Sequence, residues 1–309
     1  MRAARAGVAA IAMLGGTANA QTAADVELHL LPVQGNVYML HAGTAGNAAV
    51  QIGSDGVFVV NALRAGLAER IAAKVEELTA APIRYIVSTS AGLHNVSGNA
   101  ELAALGTFGA TSASGRPGAT LVAHENVMRR LSDMTRARRD PFPELAVPHD
   151  VYFLAHKDVY FNAEPIFILH APNAHSDGDS IVLFRKSDTL ALGDLFVPGE
   201  YPVIDVARGG SVNGLLAALN RVLDLAVPAR LQDGGTRIIP GRGRLCNEAD
   251  VVEYRNMVAI VRDRVRALIA AGMSLEEVRA AQPTLDYDVE YGPGRAFVES
   301  VYMSLQATE

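Results

Sequence analysis

The sequence predicts a mixed α/β protein, α+β in arrangement: a four-layer αββα sandwich in which two sheets face each other and helices cover the outer faces. Three observations predict it. Strand-like and helix-like runs come in the order strands, helix, strand, helix, and then in that order again. Neither half has enough amphipathic helix to cover both faces of its own sheet, so the two sheets must bury each other. Half of the 309 residues are apolar and 19% are charged, enough to fill a large shared core.

The elements follow in order. "VELHLLPV", "NVYMLHA", "AAVQIG" and "GVFVVNA" read as strands separated by Gly, Asn and Asp-Gly turns, with "SDG" at Ser54 to Gly56 suited to a hairpin. "GLAERIAAKVEELTA" has helical period, with Leu67, Ile71, Val75 and Leu78 on one stripe. Ile83 to Val87 is a buried strand that runs into a polar loop, and "ELAALG" is a short helix ended by Gly106. "ATLVAHENVMRRLSDM" passes from strand to helix near His124. A second group of strands follows: "DVYFLA", "VYFNAEPIFILHA", "SIVLFRKS" and "TLALGDLF". Ser211 caps the helix "VNGLLAALNRVLDLA", and "TRIIPG" is one more strand. A long amphipathic helix ends at Gly272, and Ser274 with Glu277 opens another as a capping box. Residues 247–309 thus form a helical C-terminal extension of one domain spanning 21–309.

The first twenty residues read differently. Arg2 and Arg5 precede the apolar run "GVAAIAMLGG", and "ANA" at Ala18 to Ala20 places small residues for cleavage after Ala20. This is a secretory signal peptide, and the mature protein is expected to be periplasmic or secreted. No run is long enough for a membrane span. The net charge of −6 gives no overall basic balance for nucleic acid. Cys246 is the only cysteine, which excludes an internal disulfide and a cysteine-rich zinc site.

The stretches "GNAAVQIGSDGVFVVNA", "IRYIVSTS…GN", "VAHENV", "HAPNAHSDGDSIVLF", "TLALGDLF" and "IIPGRG" carry a resemblance to the metallo-β-lactamase superfamily over nearly the whole mature length. The chain is most similar to a periplasmic branch with "PNAHTDGD" and a helical C-terminal tail. The resemblance implies one or two zinc ions at the sheet edge and a metal-bound hydroxide that hydrolyses the substrate. It also implies ligands from a His-x-His-x-Asp-His loop, a later His, a Gly-Asp at a strand end, and a His in a Pro-Gly-His-Gly turn. Bringing zinc-bound water to a pKa of roughly 7 takes about three such ligands in fixed geometry.

Carried over position by position, the motif is degenerate. Ser90 and Gly92 stand at the first two histidine positions, His94 at the aspartate, and Asn95 at the third histidine. His175 and the Gly193-Asp194 pair are kept, and Arg242 replaces the last histidine within "PGRG". Ser90 and Asn95 are poor zinc ligands, Gly92 offers no side chain, and a guanidinium cannot ligate a metal. Arg242 is expected to take over the charge of the second zinc and pair with Asp194. The loop then reads as emptied rather than rebuilt, with His94 an exposed loop residue.

The expectation is a metal-poor relative of the zinc hydrolases, with no cofactor, that binds a small-molecule ligand or a protein partner. The alternative is a divergent hydrolase of an ester, lactone or β-lactam, using one zinc or iron ion held by His94, His175 and Asp194. Asp177 and Asp179 around Gly178 fit a tight structural turn. His170 reads either as support for the site or as a strand end, and His124 with Glu125 as a helix start. A nucleophilic triad of Ser90, His94 or His175, and Asp194 lacks the G-x-S-x-G elbow. The arginines of "RRLSDMTRARRD" read as a solvated helix face.

Overall fold

The computed structural model describes residues 23–107, 118–137 and 142–307. The expected signal peptide lies outside the described residues. Two sheets form the centre. The first has seven strands in sequence order: β1 (His29–Gln34), β2 (Val37–His41), β3 (Asn47–Gly53), β4 (Gly56–Val60), β5 (Ile83–Val87), β6 (Thr120–His124) and β7 (Asp150–Tyr152). β1 to β4 pair antiparallel, and β4 to β7 pair parallel. Pro32 is tolerated because β1 is an edge strand, where a missing N–H leaves no neighbour unpaired.

Parallel strands need crossovers. These are supplied by α1 (Ala68–Glu76), by α2 (Leu93–Val96) with α3 (Asn99–Ala104), and by α4 (Glu125–Arg136). Ile71, Val75 and Leu102 bury against Val57, Val59 and Ile86 on the outer face of this sheet. His124 starts α4 as expected: its Nδ1 accepts from Asn126 N.

The second sheet has the order β12-β11-β10-β9-β8, from β8 (His156–Phe161), β9 (Glu164–Ala171), β10 (Asp179–Phe184), β11 (Thr189–Gly193) and β12 (Arg237–Pro240). α5 (Val212–Leu225), α6 (Glu248–Ala270) and α9 (Arg295–Gln306) cover its outer face, with α7 (Leu275–Ala280) and α8 (Asp288–Tyr291) between the last two. Ser211 and the Ser274–Glu277 box cap α5 and α7 as read from sequence. The C-terminal helices are thus part of the fourth layer, since Val251, Val258 and Val301 share one core with Leu190 and Ile238.

Between the sheets lies a third core. Phe58, Tyr85, Phe161 and Phe184 meet there edge-on or tilted, with ring centroids 5.2 to 6.1 Å apart. Such pairs add about 0.5–1.5 kcal/mol each beyond burial. Phe58 is fully buried, so truncating it to alanine is expected to cost about 3–5 kcal/mol.

One reading is corrected. "VYFNAEPIFILHA" is a hairpin, β8 turning into β9 at Asn162 and Ala163, whose φ angles are 53° and 55°. Two left-handed residues match a type I′ turn, but Ala is a poor residue for it. The turn is held from outside. Asn162 Nδ2 donates to Gln51 Oε1 and Gly56 O, while Asp55 N and Asn162 N each donate to the other's side chain.

Candidate functional site

The C-terminal ends of β5, β11 and β12 open onto one cleft, and their connections carry most of the residues singled out above. In sheets with parallel strands, crevices at these ends are where side chains from different connections converge. Asn61 sets the frame, since its Oδ1 accepts from both Thr89 N and Thr89 Oγ1 at 3.0 Å. Gly193 closes it. Its φ is +53°, and a Cβ there would lie 2.2 Å from Thr89 Oγ1, so only glycine lets β11 end against this loop. The next residue is Asp194.

Asp194 is the hub. Its carboxylate is 8% exposed. Oδ2 accepts from Ser90 Oγ at 2.7 Å and from Asn95 Nδ2 at 3.0 Å. Oδ1 lies 2.6 Å from His94 Nε2. Ser90 Oγ accepts in turn from Asn95 Nδ2 and Gly92 N. Gly92 leaves space for the histidine: a Cβ would sit 2.7 Å from His94 Cε1 and 3.2 Å from Asp194 Oδ2. His175 completes the ring, with Nε2 3.8 Å from Asp194 Oδ2 and Nδ1–H donating to Val203 O at 2.8 Å.

The electrostatics follow from this geometry. Burial alone would raise the Asp194 pKa, but the His94 hydrogen bond and the His175 charge outweigh it and hold the carboxyl well below its usual range. Burial works against a charged His175 too, yet Asp194, Asp179 and the Val203 carbonyl together raise its pKa. Asp179, fully buried, is pushed up to about 7 by burial, and it accepts from Ser176 N and Ser176 Oγ to brace the loop that carries His175.

The structure gathers Ser90, Gly92, His94, Asn95, His175 and Asp194, and corrects three expectations. First, Arg242 pairs with Glu200, through Nε at 3.2 Å and Nη2 at 2.5 Å, and acts on Asp194 only through space. Its turn is pinned elsewhere: Asn47 Nδ2 donates to Pro240 O and Gly243 O, and Asn47 N donates to Gly241 O. Second, His94 is 40% exposed but bound to Asp194, so it is a member of the site. Third, Ser90 and Asn95 are not idle in the loop, because both donate to the Asp194 carboxylate. Sequence reading missed Glu200 and Val203, which stand in no motif, and gave no role to Asn47 and Asn61, which lie inside "GNAAVQIGSDGVFVVNA".

The donor set argues against a divalent ion seated on Asp194. A metal ligand must offer a lone pair, whereas Ser90 and Asn95 direct O–H and N–H groups at the carboxylate, and the His94 nitrogen is already engaged with it. No nucleophilic triad forms either. Ser90 gives its proton to Asp194, and no imidazole stands between them.

His124 and His170 have structural partners. His124 stacks on His170 at 3.7 Å, and burial with this neighbour pushes its pKa down to about 4. His170 Nε2–H donates to Asp177 O, and Asp177 pairs with Arg130. Arg129 and Arg136 make exposed pairs along α4, as a solvated face would, whereas Arg130 departs from that reading, only 17% exposed and turned inward to Asp177; Arg138, Arg139 and Asp140 lie outside the described residues.

No family model and no curated protein matches this sequence. Solved structures do. The stereoselective inverting sec-alkylsulfatase Pisa1 from Pseudomonas sp. is similar with a TM-score of 0.69 and 14% identity, over 89% of this chain and 50% of that one. A metallo-β-lactamase from Pontibacter korlensis is similar with a TM-score of 0.59 and 11% identity, over 75% of this chain and 99% of that one. The DIM-1 metallo-β-lactamase gives 0.56 and 13%, over 75% and 97%. The present chain spans half the length of the sulfatase it matches. At these identities the likeness establishes architecture: this protein has the metallo-β-lactamase fold.

Proposed function

We propose that this chain is a metal-poor, exported relative of the zinc hydrolases, whose cleft serves as a ligand-binding site rather than a di-zinc centre. The observation that carries this reading is the environment of Asp194. A buried carboxylate without a cation needs donors, and here Ser90, Asn95 and His94 provide them. His94 is partly open to solvent at the mouth, and Leu93 beside it and Val203 in the connection that binds His175 expose apolar side chains. A small molecule with one polar group and an apolar body suits that mouth.

A second reading keeps hydrolysis, through one ion held by His94, His175 and Asp194. One observation favours it: His175 donates Nδ1–H to a backbone carbonyl and turns Nε2 toward the site, the arrangement that orients metal-bound histidines.

Metal analysis separates the two. The mature protein is purified without chelator, bound zinc, iron and manganese are measured, and ester, lactone, β-lactam and alkyl sulfate substrates are assayed. The metal-poor reading expects far less than one ion per chain and no turnover. One ion per chain, lost in His175→Ala, would establish the second reading instead.

A further inference from the structure

Away from Asp194, between α5 and the β8–β9 hairpin, the surface holds a hollow of about 270 Å³. Leu169 and Ile181 line it from the sheet, and Ala217 and Ala218 from the helix. The alanines, with Gly214 one turn earlier, are too small to fill the space between helix and sheet, which is why it stays open. It shares no residue with the Asp194 cleft.

The rim carries one fixed cation, Arg221. Arg221 closes one end of the helical wall and His156 stands at the start of β8. His156 is shared with Asp158 at 3.7 Å. Among the described residues no carboxylate lies within ion-pair reach of the Arg221 guanidinium, and no carboxylate lines the hollow. Immediately before the lining residues Ala155 and His156, Phe153 and Leu154 are 70% and 65% exposed, so the apolar surface continues past the mouth.

An unpaired guanidinium over a mostly apolar recess fits one chemistry: a fixed negative charge on a hydrocarbon body. Guanidinium binds carboxylate and sulfate oxygens in a fork, and apolar walls return about 25 cal/mol per Å² of hydrocarbon they cover. We propose that this hollow binds a small alkyl anion, its head on Arg221 and its chain against Leu169, Ile181 and Ala217. A neutral or cationic molecule of the same length gains the apolar contact without the ion pair.

Titration calorimetry on the mature chain tests this with four probes of equal chain length: octanoate, octyl sulfate, octan-1-ol and octylammonium. Saturable binding of one or both anions is expected, at least tenfold tighter than octanol, with no octylammonium binding. Which anion binds tells a carboxylate from a sulfate ligand. Arg221→Ala and Ala217→Phe, the second filling the hollow from its exposed side, are each expected to weaken the anion at least tenfold while melting as the parent does. Lys74→Ala, which removes an exposed cation from α1 over the other sheet, is expected to leave binding unchanged. Equal affinity for octanol, full affinity in Arg221→Ala, weakened binding in Lys74→Ala, or no saturable binding of either anion would overturn the assignment.

Discussion

Replacing Asp194 by alanine tests the hub of the cleft most directly. The variant removes the acceptor for Ser90 Oγ at 2.7 Å and Asn95 Nδ2 at 3.0 Å, and the counter-charge of His175 at 3.8 Å. His94, partly exposed, can turn to water and adds little. Ser90 is buried, and a buried donor left without an acceptor costs about 1–3 kcal/mol. Breaking a buried ion pair by removing one partner costs about 3–5 kcal/mol. His175 keeps 13% exposure, so the two effects overlap rather than add, and the expected loss is about 3–5 kcal/mol. At roughly 2–4 °C per kcal/mol, the melting temperature should drop by about 6–20 °C. The assay is calorimetric melting of parent and variant with and without chelator or added zinc. An ion at a hundred times its Kd would stabilise the fold by about 2.7 kcal/mol, enough to show as a shift. The parent is expected to melt at one temperature in all three conditions. A parent that falls to the level of Asp194→Ala in chelator and recovers with zinc would refute the hydrogen-bonding account, because Asp194 would then act through a metal.

Four further outcomes follow from the same geometry. Arg242→Ala should cost under about 1 kcal/mol in denaturant melts, because Arg242 and Glu200 are 29% and 52% exposed; a loss near that of Asp194→Ala would mean that Arg242 supports the carboxylate after all. Gly92→Ala has ordinary backbone angles to adopt, so it should displace His94 from Asp194, seen in the histidine proton spectrum, for about 1 kcal/mol of off-rotamer adjustment. Gly193→Ala combines a left-handed backbone with a 2.2 Å clash and should cost more than about 2 kcal/mol, partly recovered when Thr89→Ala removes Oγ1. Stability should also fall on both sides of a mildly acidic optimum. Asp194, with its folded pKa depressed, contributes fully above about pH 4 and less as pH falls; His175, with its folded pKa raised, contributes fully below about pH 6.5 and less as pH rises. Asp179 adds to the alkaline loss, since the folded chain keeps to about pH 7 a proton that the unfolded chain releases near pH 4. Chemical denaturation across pH 3–9 measures both limbs, and His175→Ala should flatten the alkaline one.

The architecture was legible because its signals are local. Alternation, capping boxes and Asp-Gly turns each lie within a few residues, and the four layers follow from where the amphipathic helices fall. The β8–β9 hairpin was hidden for the opposite reason. No Gly marks its turn, and what holds Asn162 and Ala163 in left-handed conformations is the β3–β4 turn more than a hundred residues away. Glu200 was hidden likewise, since nothing in "VPGEYP" tells that it meets Arg242 across the cleft.

The loop from Ser90 to Asn95 shows how the same positions count differently as metal ligands and as hydrogen-bonding groups. Counted as metal ligands, Ser90 and Asn95 are losses. Counted as hydrogen-bonding groups, they reverse polarity: an imidazole nitrogen offers a lone pair to a cation, while a hydroxyl and an amide offer protons to an anion. That difference matters because the Asp194 carboxylate stands beside them. A retained buried carboxylate beside retained lone pairs would need a cation between them, whereas a carboxylate beside donors needs none. The two conditions make opposite demands on the same positions, so substitutions at Ser90 and Asn95 that restore imidazoles without changing Asp194 should destabilise the chain in chelator and make its stability depend on added zinc.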